Sequence, residues 1–195
     1  MNTKNKRLAT ETMVLGAMMT ALVVILQCLA TYTTFFGPFS TAVALVPIVI
    51  GAALCGTGVG AWLGLVFGGV VILTGNAALF LAFSVPGTIV TVLCKGMACG
   101  AAAGIVHKLL KKWNGIVAAI ASAIVCPVVN TGVFLLGCRI FFMPYADAIA
   151  ETLQMNVSGM DLFFALAGAN FLLELGMNLV LSPVIVKLIS LAKKK

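Results

Sequence analysis

The chain has 195 residues, of which 62% are hydrophobic and only 9% charged, with a formal net charge of +7. A soluble domain carries about 25% charge, so this composition excludes one and defines an integral membrane protein. The Lys and Arg residues lie in short flanks of apolar runs rather than in a patch interleaved with aromatics, so they mark topology and give no reason to expect nucleic acid as a partner.

In chain order, a basic tail over 1–7 leads into a first apolar run, 13–30, interrupted by Thr20 and Gln27. That run is long enough to span and is followed by no A-x-A-like site, so it is expected to be retained as a span rather than cleaved as a signal. A loop containing Tyr32, Thr34, Phe35 and Gly37-Pro38 follows, then two shorter runs, 41–55 and 59–73, separated by Gly56-Thr57-Gly58. These read as two short spans that thin the bilayer locally, with a re-entrant hairpin as the alternative. The segment 74–86, with Gly75 and Asn76, is read as a loop or a short surface helix. A fourth span over 86–106 starts at Pro86, a residue suited to a first helical turn, and ends in the basic segment His107 to Trp113. The fifth span covers 115–138, the polar segment 143–161 follows, and the sixth covers 162–191 before the terminal lysines. The reading is an all-α membrane protein with six transmembrane helices in one domain, residues 1–195.

An even number of spans with a cytoplasmic amino terminus gathers Lys4, Lys6, Arg7, Lys108, Lys111, Lys112, Lys187 and the final lysines on the inner side. The outer side then receives Arg139 with Asp147, Glu151 and Asp161. Both termini are therefore placed in the cytoplasm.

Polar residues inside the apolar runs mark the candidate site. Asn170, Glu174 and Asn178 recur every four residues and stack on one helical face, an expensive arrangement where a charge costs about 3 kcal/mol at mid-depth. At 1.5 Å per residue, Lys95 lies roughly 14 Å below Pro86 and Glu174 roughly 18 Å below Leu162, so the two are expected to be partners at similar depth. Thr88 and Thr91 share the face of Lys95, Asn130 and Thr131 follow Pro127, and Arg139 marks the outer end of span five. These residues either fix helix packing or line an outward-facing cavity for a small hydrophilic molecule, with Tyr32 and Asn76 at its mouth.

Glycine stripes at Gly60, Gly64 and Gly68 and at Gly96, Gly100 and Gly104 permit close helix approach, chiefly within the chain. Ala17 and Ala21 form a shorter small-residue face that serves either internal packing or contact with another membrane protein. The six cysteines lack zinc-type spacing and read as small packing residues. His107 reads as an interfacial residue. No phosphate-binding Gly-rich loop and no HExxH occurs, so the chain is expected neither to hydrolyse ATP itself nor to be an enzyme, and no cofactor is called for. The absence of inverted halves argues against a self-sufficient carrier, which stays open beside a non-transport membrane scaffold.

Gly37-Pro38-Phe39-Ser40-Thr41, Val46 through Gly51, GTGVGAWLGLVFGG over 56–69 and Pro127 through Thr131 resemble the substrate-binding S component of energy-coupling factor (ECF) vitamin transporters. The resemblance implies a protein that binds a vitamin from outside and works with a membrane T component and two cytoplasmic ATPases, toppling in the bilayer to deliver its load. It also implies that Ala17 and Ala21 match an Ala-x-x-x-Ala contact for the T component, with Gly60 and Gly64 on the same coupling surface. The closest members in look are those for pantothenate and riboflavin. Lys95 or Arg139 would pair with a carboxylate, which favours pantothenate slightly, while Asn130, Asn170 and Asn178 would hydrogen-bond amide or hydroxyl groups. Phe80, Phe83 and Phe134 would serve the stacking that riboflavin requires. Glu174 would set the charge of Lys95, and Asn178 would close the cavity floor.

Overall fold

A computed structural model describes residues 3–32 and 42–192. Helix α1 covers Thr3–Tyr32, α2 Leu45–Cys55, α3 Thr57–Leu73, α4 Ala78–Phe83, α5 Val85–Leu110, α6 Gly115–Gly137, α7 Ala146–Thr152 and α8 Gly159–Ala192. No strand occurs among the described residues. Local chemistry explains several of these bounds. Ser84 Oγ accepts the Gly87 N–H at 3.3 Å and Pro86 occupies the first turn, which starts α5. Asn114 Oδ1 accepts the Ile116 N–H at 2.8 Å and starts α6. Gly56, at φ 95°, supplies the left-handed turn that separates α2 from α3.

Helices α1, α5, α6 and α8 are each long and apolar enough to cross a bilayer. The two expected short spans differ from these. At 17 residues α3 is roughly 26 Å long, close to the hydrocarbon thickness. With 11 residues α2 reaches only roughly 16 Å, and most of its side chains are buried among α1, α3, α5, α6 and α8. Hydropathy alone does not distinguish such a fully enclosed helix from a span, because both are apolar on every face. The segment 74–86 is a turn followed by α4, and the polar segment after α6 contains α7. Between them α6 continues as a π-helical stretch over Cys138–Phe142.

The glycine stripes are used inside the molecule. A Cβ on Gly64 would strike the Gly96 carbonyl, one on Gly60 would lie 2.5 Å from the Gly100 carbonyl, and one on Gly68 2.7 Å from the Val92 carbonyl. Helices α3 and α5 thus meet backbone to backbone in antiparallel register. This corrects the expectation that Gly60 and Gly64 lie on an outer coupling surface: both are buried against α5, because only glycine permits that separation.

Two apolar clusters result. One surrounds α2 and includes Leu45, Ile48, Leu63, Phe67, Cys99 and Ile185. The other gathers Cys138, Phe142, Ile149, Leu162 and Phe163, with Phe80, Phe134 and Leu153 packed against it. The six cysteines are free; Cys99, Cys126 and Cys138 are buried as packing residues, whereas Cys94 is exposed and Cys28 and Cys55 are half-buried, and Cys99 Sγ lies 3.1 Å from the Gly96 carbonyl. His107, expected at the interface, is only 2% exposed. The start of α3 packs on Gly104, about one turn before it, and covers that end of α5.

Candidate functional site

Where the two apolar clusters meet, a cavity of about 420 Å³ opens between α3, α4, α5, α6 and α8. Val71, Leu79, Phe80, Val92, Phe134, Leu153, Leu166 and Ala167 form its apolar wall, and Asn76, Lys95, Asn130, Thr131 and Asn170 its polar positions. Lys95 is the one charged side chain among the described residues that line it. Its ammonium lies 5.1 Å from the centroid of the Phe134 ring, a cation–π contact that holds the long side chain across the cavity. Phe80 meets Phe134 edge to face at 5.4 Å and Phe142 at 5.0 Å.

The ladder on α8 enters the cavity at Asn170 and continues below it. Glu174 is fully buried, and its carboxylate accepts the Asn170 amide N–H at 2.9 Å and the Asn130 amide N–H at 3.1 Å. The period-four spacing puts Asn170 one turn above Glu174, while Asn130 approaches from the facing turn of α6, beside Pro127. No direct Lys95–Glu174 contact joins the two among the described residues, although Glu174 lies near enough to attract the ammonium: the carboxylate takes amide donors, and Lys95 rests on Phe134. Asn178 does not close the floor either. It is fully buried one turn deeper and donates to the Glu174 main-chain carbonyl at 2.8 Å.

The remaining expected site residues separate. Asn76 lines the cavity and donates to Thr31 Oγ1 at 2.9 Å, tying the α3–α4 turn to the end of α1. Thr91 is buried where α5 meets α6, its side chain against Gly137, and does not reach the cavity. Arg139 is exposed on the π-helical stretch. The side chain of Tyr32 and the 33–41 segment, which includes Gly37-Pro38, lie outside the described residues. On α1, Ala17 and Ala21 are both exposed, and Ala17 borders an apolar groove shared with Gly16, Val59 and Trp62.

Leu79, Leu153 and Leu166 were missed as wall residues by sequence reasoning, since nothing in their spacing separates a cavity wall from a packed core. Gln27 was missed as well: it is fully buried on α1, and among the described residues neither its amide oxygen nor its amide nitrogen has a partner. Its interruption of an otherwise apolar run was the available signal.

A cavity whose described lining holds one cation, several amides and aromatic walls, set inside apolar helices, has the chemistry that small-solute sites of membrane proteins use. The family model described as ECF transporter, substrate-specific component matches residues 11–186, and the chain belongs to that family. No curated protein and no solved structure matches it. Membership makes the chain a multi-pass plasma-membrane protein with a substrate-specific transport role, in a family of transporter components rather than enzymes.

Proposed function

We propose that the chain binds a small water-soluble vitamin from the outer side, pantothenate before riboflavin, and delivers it inward with a membrane T component and two cytoplasmic ATPases. The observation that carries this reading is the cavity itself, where Lys95 projects among Asn76, Asn130, Thr131 and Asn170. Pantothenate carries a carboxylate for the lysine, an amide and hydroxyls for the polar positions, and a dimethyl group for the apolar wall. Riboflavin is served less well: Phe80 and Phe134 meet at an interplanar angle of 88°, closed on each other rather than opened as a slot for a flat ring.

Asn76 and Thr31 bridge the outer end, so the second outer turn and α1 form part of the mouth. Ala17 and Ala21 are read as the contact for the T component, supported by their exposure and by the neighbouring groove beside Trp62. Ala17→Trp is expected to retain vitamin binding in the purified protein while abolishing uptake in cells. Normal uptake by that variant overturns the coupling assignment.

A further inference from the structure

Built on the solute-binding reading above, a more specific feature of the same cavity concerns which way its amides point. A carboxylate offers acceptors only, so an asparagine side chain that bonds to it turns its NH2 inward and its carbonyl oxygen away. Asn130 does so, with its amide nitrogen 3.1 Å and 3.4 Å from the two Glu174 oxygens. Asn170 engages the same carboxylate from above at 2.9 Å. Glu174 is itself held on a rigid turn, since Asn178 donates to its main-chain carbonyl. The consequence falls on Asn130 Oδ1: it belongs to a residue that lines the cavity, is 2% exposed, and has no hydrogen-bond partner among the described residues. Buried amide oxygens are satisfied with few exceptions, so this oxygen calls for a donor from whatever fills the cavity.

We propose that Glu174 is a positioning residue that fixes Asn130 as a hydrogen-bond acceptor, so that the site selects anions bearing a hydroxyl donor over isosteres in which an ether oxygen replaces that hydroxyl. Lys95 takes the anionic end, from the α5 side, and Asn130 the donor. A neutral amide in place of Glu174 offers both a donor and an acceptor, which frees Asn130 to turn either face toward the solute and removes the selection.

Isothermal titration of the purified full-length protein with pantothenate and with its di-O-methyl ether tests this. The ether keeps the carboxylate and replaces the hydroxyl donors with acceptors. The wild type is expected to bind the ether about tenfold more weakly, the value of one hydrogen bond that is lost. In Glu174→Gln the gap is expected to narrow to about threefold or less. The exchanged pair Glu174→Gln with Asn130→Asp keeps the charge of the site and again leaves position 130 as an acceptor only, so the tenfold gap is expected to return. The added methyl bulk is the same in all three proteins and cancels in the comparison. An unchanged gap in Glu174→Gln, or a narrowed gap in the exchanged pair, overturns the proposal; where the single variant does not fold, the exchanged pair carries the test alone. Equal binding of both compounds by the wild type overturns the inference and leaves the binding reading intact. Failure of the wild type to bind any member of a vitamin panel overturns the binding reading, and the inference with it.

Discussion

Lys95→Met removes the charge that lines the cavity while keeping a long unbranched side chain able to rest on Phe134, where the ammonium now lies 5.1 Å from the ring centroid. The size of the effect follows from what a carboxylate loses. At about 4 Å and an effective dielectric of about 20 the gross attraction is about 4 kcal/mol. Removing both groups from water takes part of that back, and charge-assisted hydrogen bonds retain about 1.5–3 kcal/mol net. Pantothenate is therefore expected to bind roughly 10- to 150-fold more weakly to the variant. Panthenol, which carries an alcohol in place of the carboxylate, is expected to change by less than about threefold, since it never had the charge pair to lose. Isothermal titration of both ligands against both proteins supplies the four dissociation constants. Thermal unfolding without ligand serves as the control, since taking away the cation near the fully buried Glu174 lowers stability in its own right and must be separated from the loss of binding. If pantothenate and panthenol weaken by the same factor, or if neither changes, the anion does not sit on Lys95 and the reasoning fails.

Arg139→Gln is expected to leave pantothenate affinity within about twofold, since the guanidinium is exposed on the π-helical stretch and outside the cavity; a loss comparable with that of Lys95→Met would move the anion site there. Gly64→Leu forces a side chain into the Gly96 backbone, and at about 1–3 kcal/mol or more of overpacking it is expected to lower the thermal unfolding midpoint by several degrees, whereas Gly69→Leu, which meets open space, is expected to leave the midpoint in place. Asn76→Ala breaks the bond to Thr31 at the mouth and is expected to raise the ligand dissociation rate severalfold in stopped-flow displacement, with a smaller change in association.

Much of the site was legible because its signals are local. A four-residue period of Asn, Glu and Asn in an apolar run identifies one face of one helix whatever surrounds it, and the ladder on α8 indeed lies beside the cavity. The paired glycine stripes likewise announced a close approach, and α3 and α5 meet along them. Depth along a helix was enough to place Lys95 and Glu174 at similar levels, but not to pair them. Pairing depends on rotation about each helix axis, which put Asn130 rather than Lys95 on the carboxylate. Thr91 shares the helical face of Lys95 and still misses the cavity, because α6 approaches at Gly137 and takes up that part of the face. The short α2 was hidden for a related reason: burial within a bundle and burial in lipid demand the same apolar composition, so only the neighbours of a helix tell the two apart.

On the proposed reading, this cavity holds a small anionic vitamin. The most direct measurement is the thermal unfolding midpoint of the purified wild-type protein in the presence of pantothenate, riboflavin and other water-soluble vitamins, each at a concentration well above micromolar. A ligand present at about 100 times its dissociation constant adds about 2.7 kcal/mol of stability. Pantothenate is therefore expected to raise the midpoint by several degrees, and by more than riboflavin does. A midpoint unmoved by every vitamin, or raised most by a neutral one, contradicts the account.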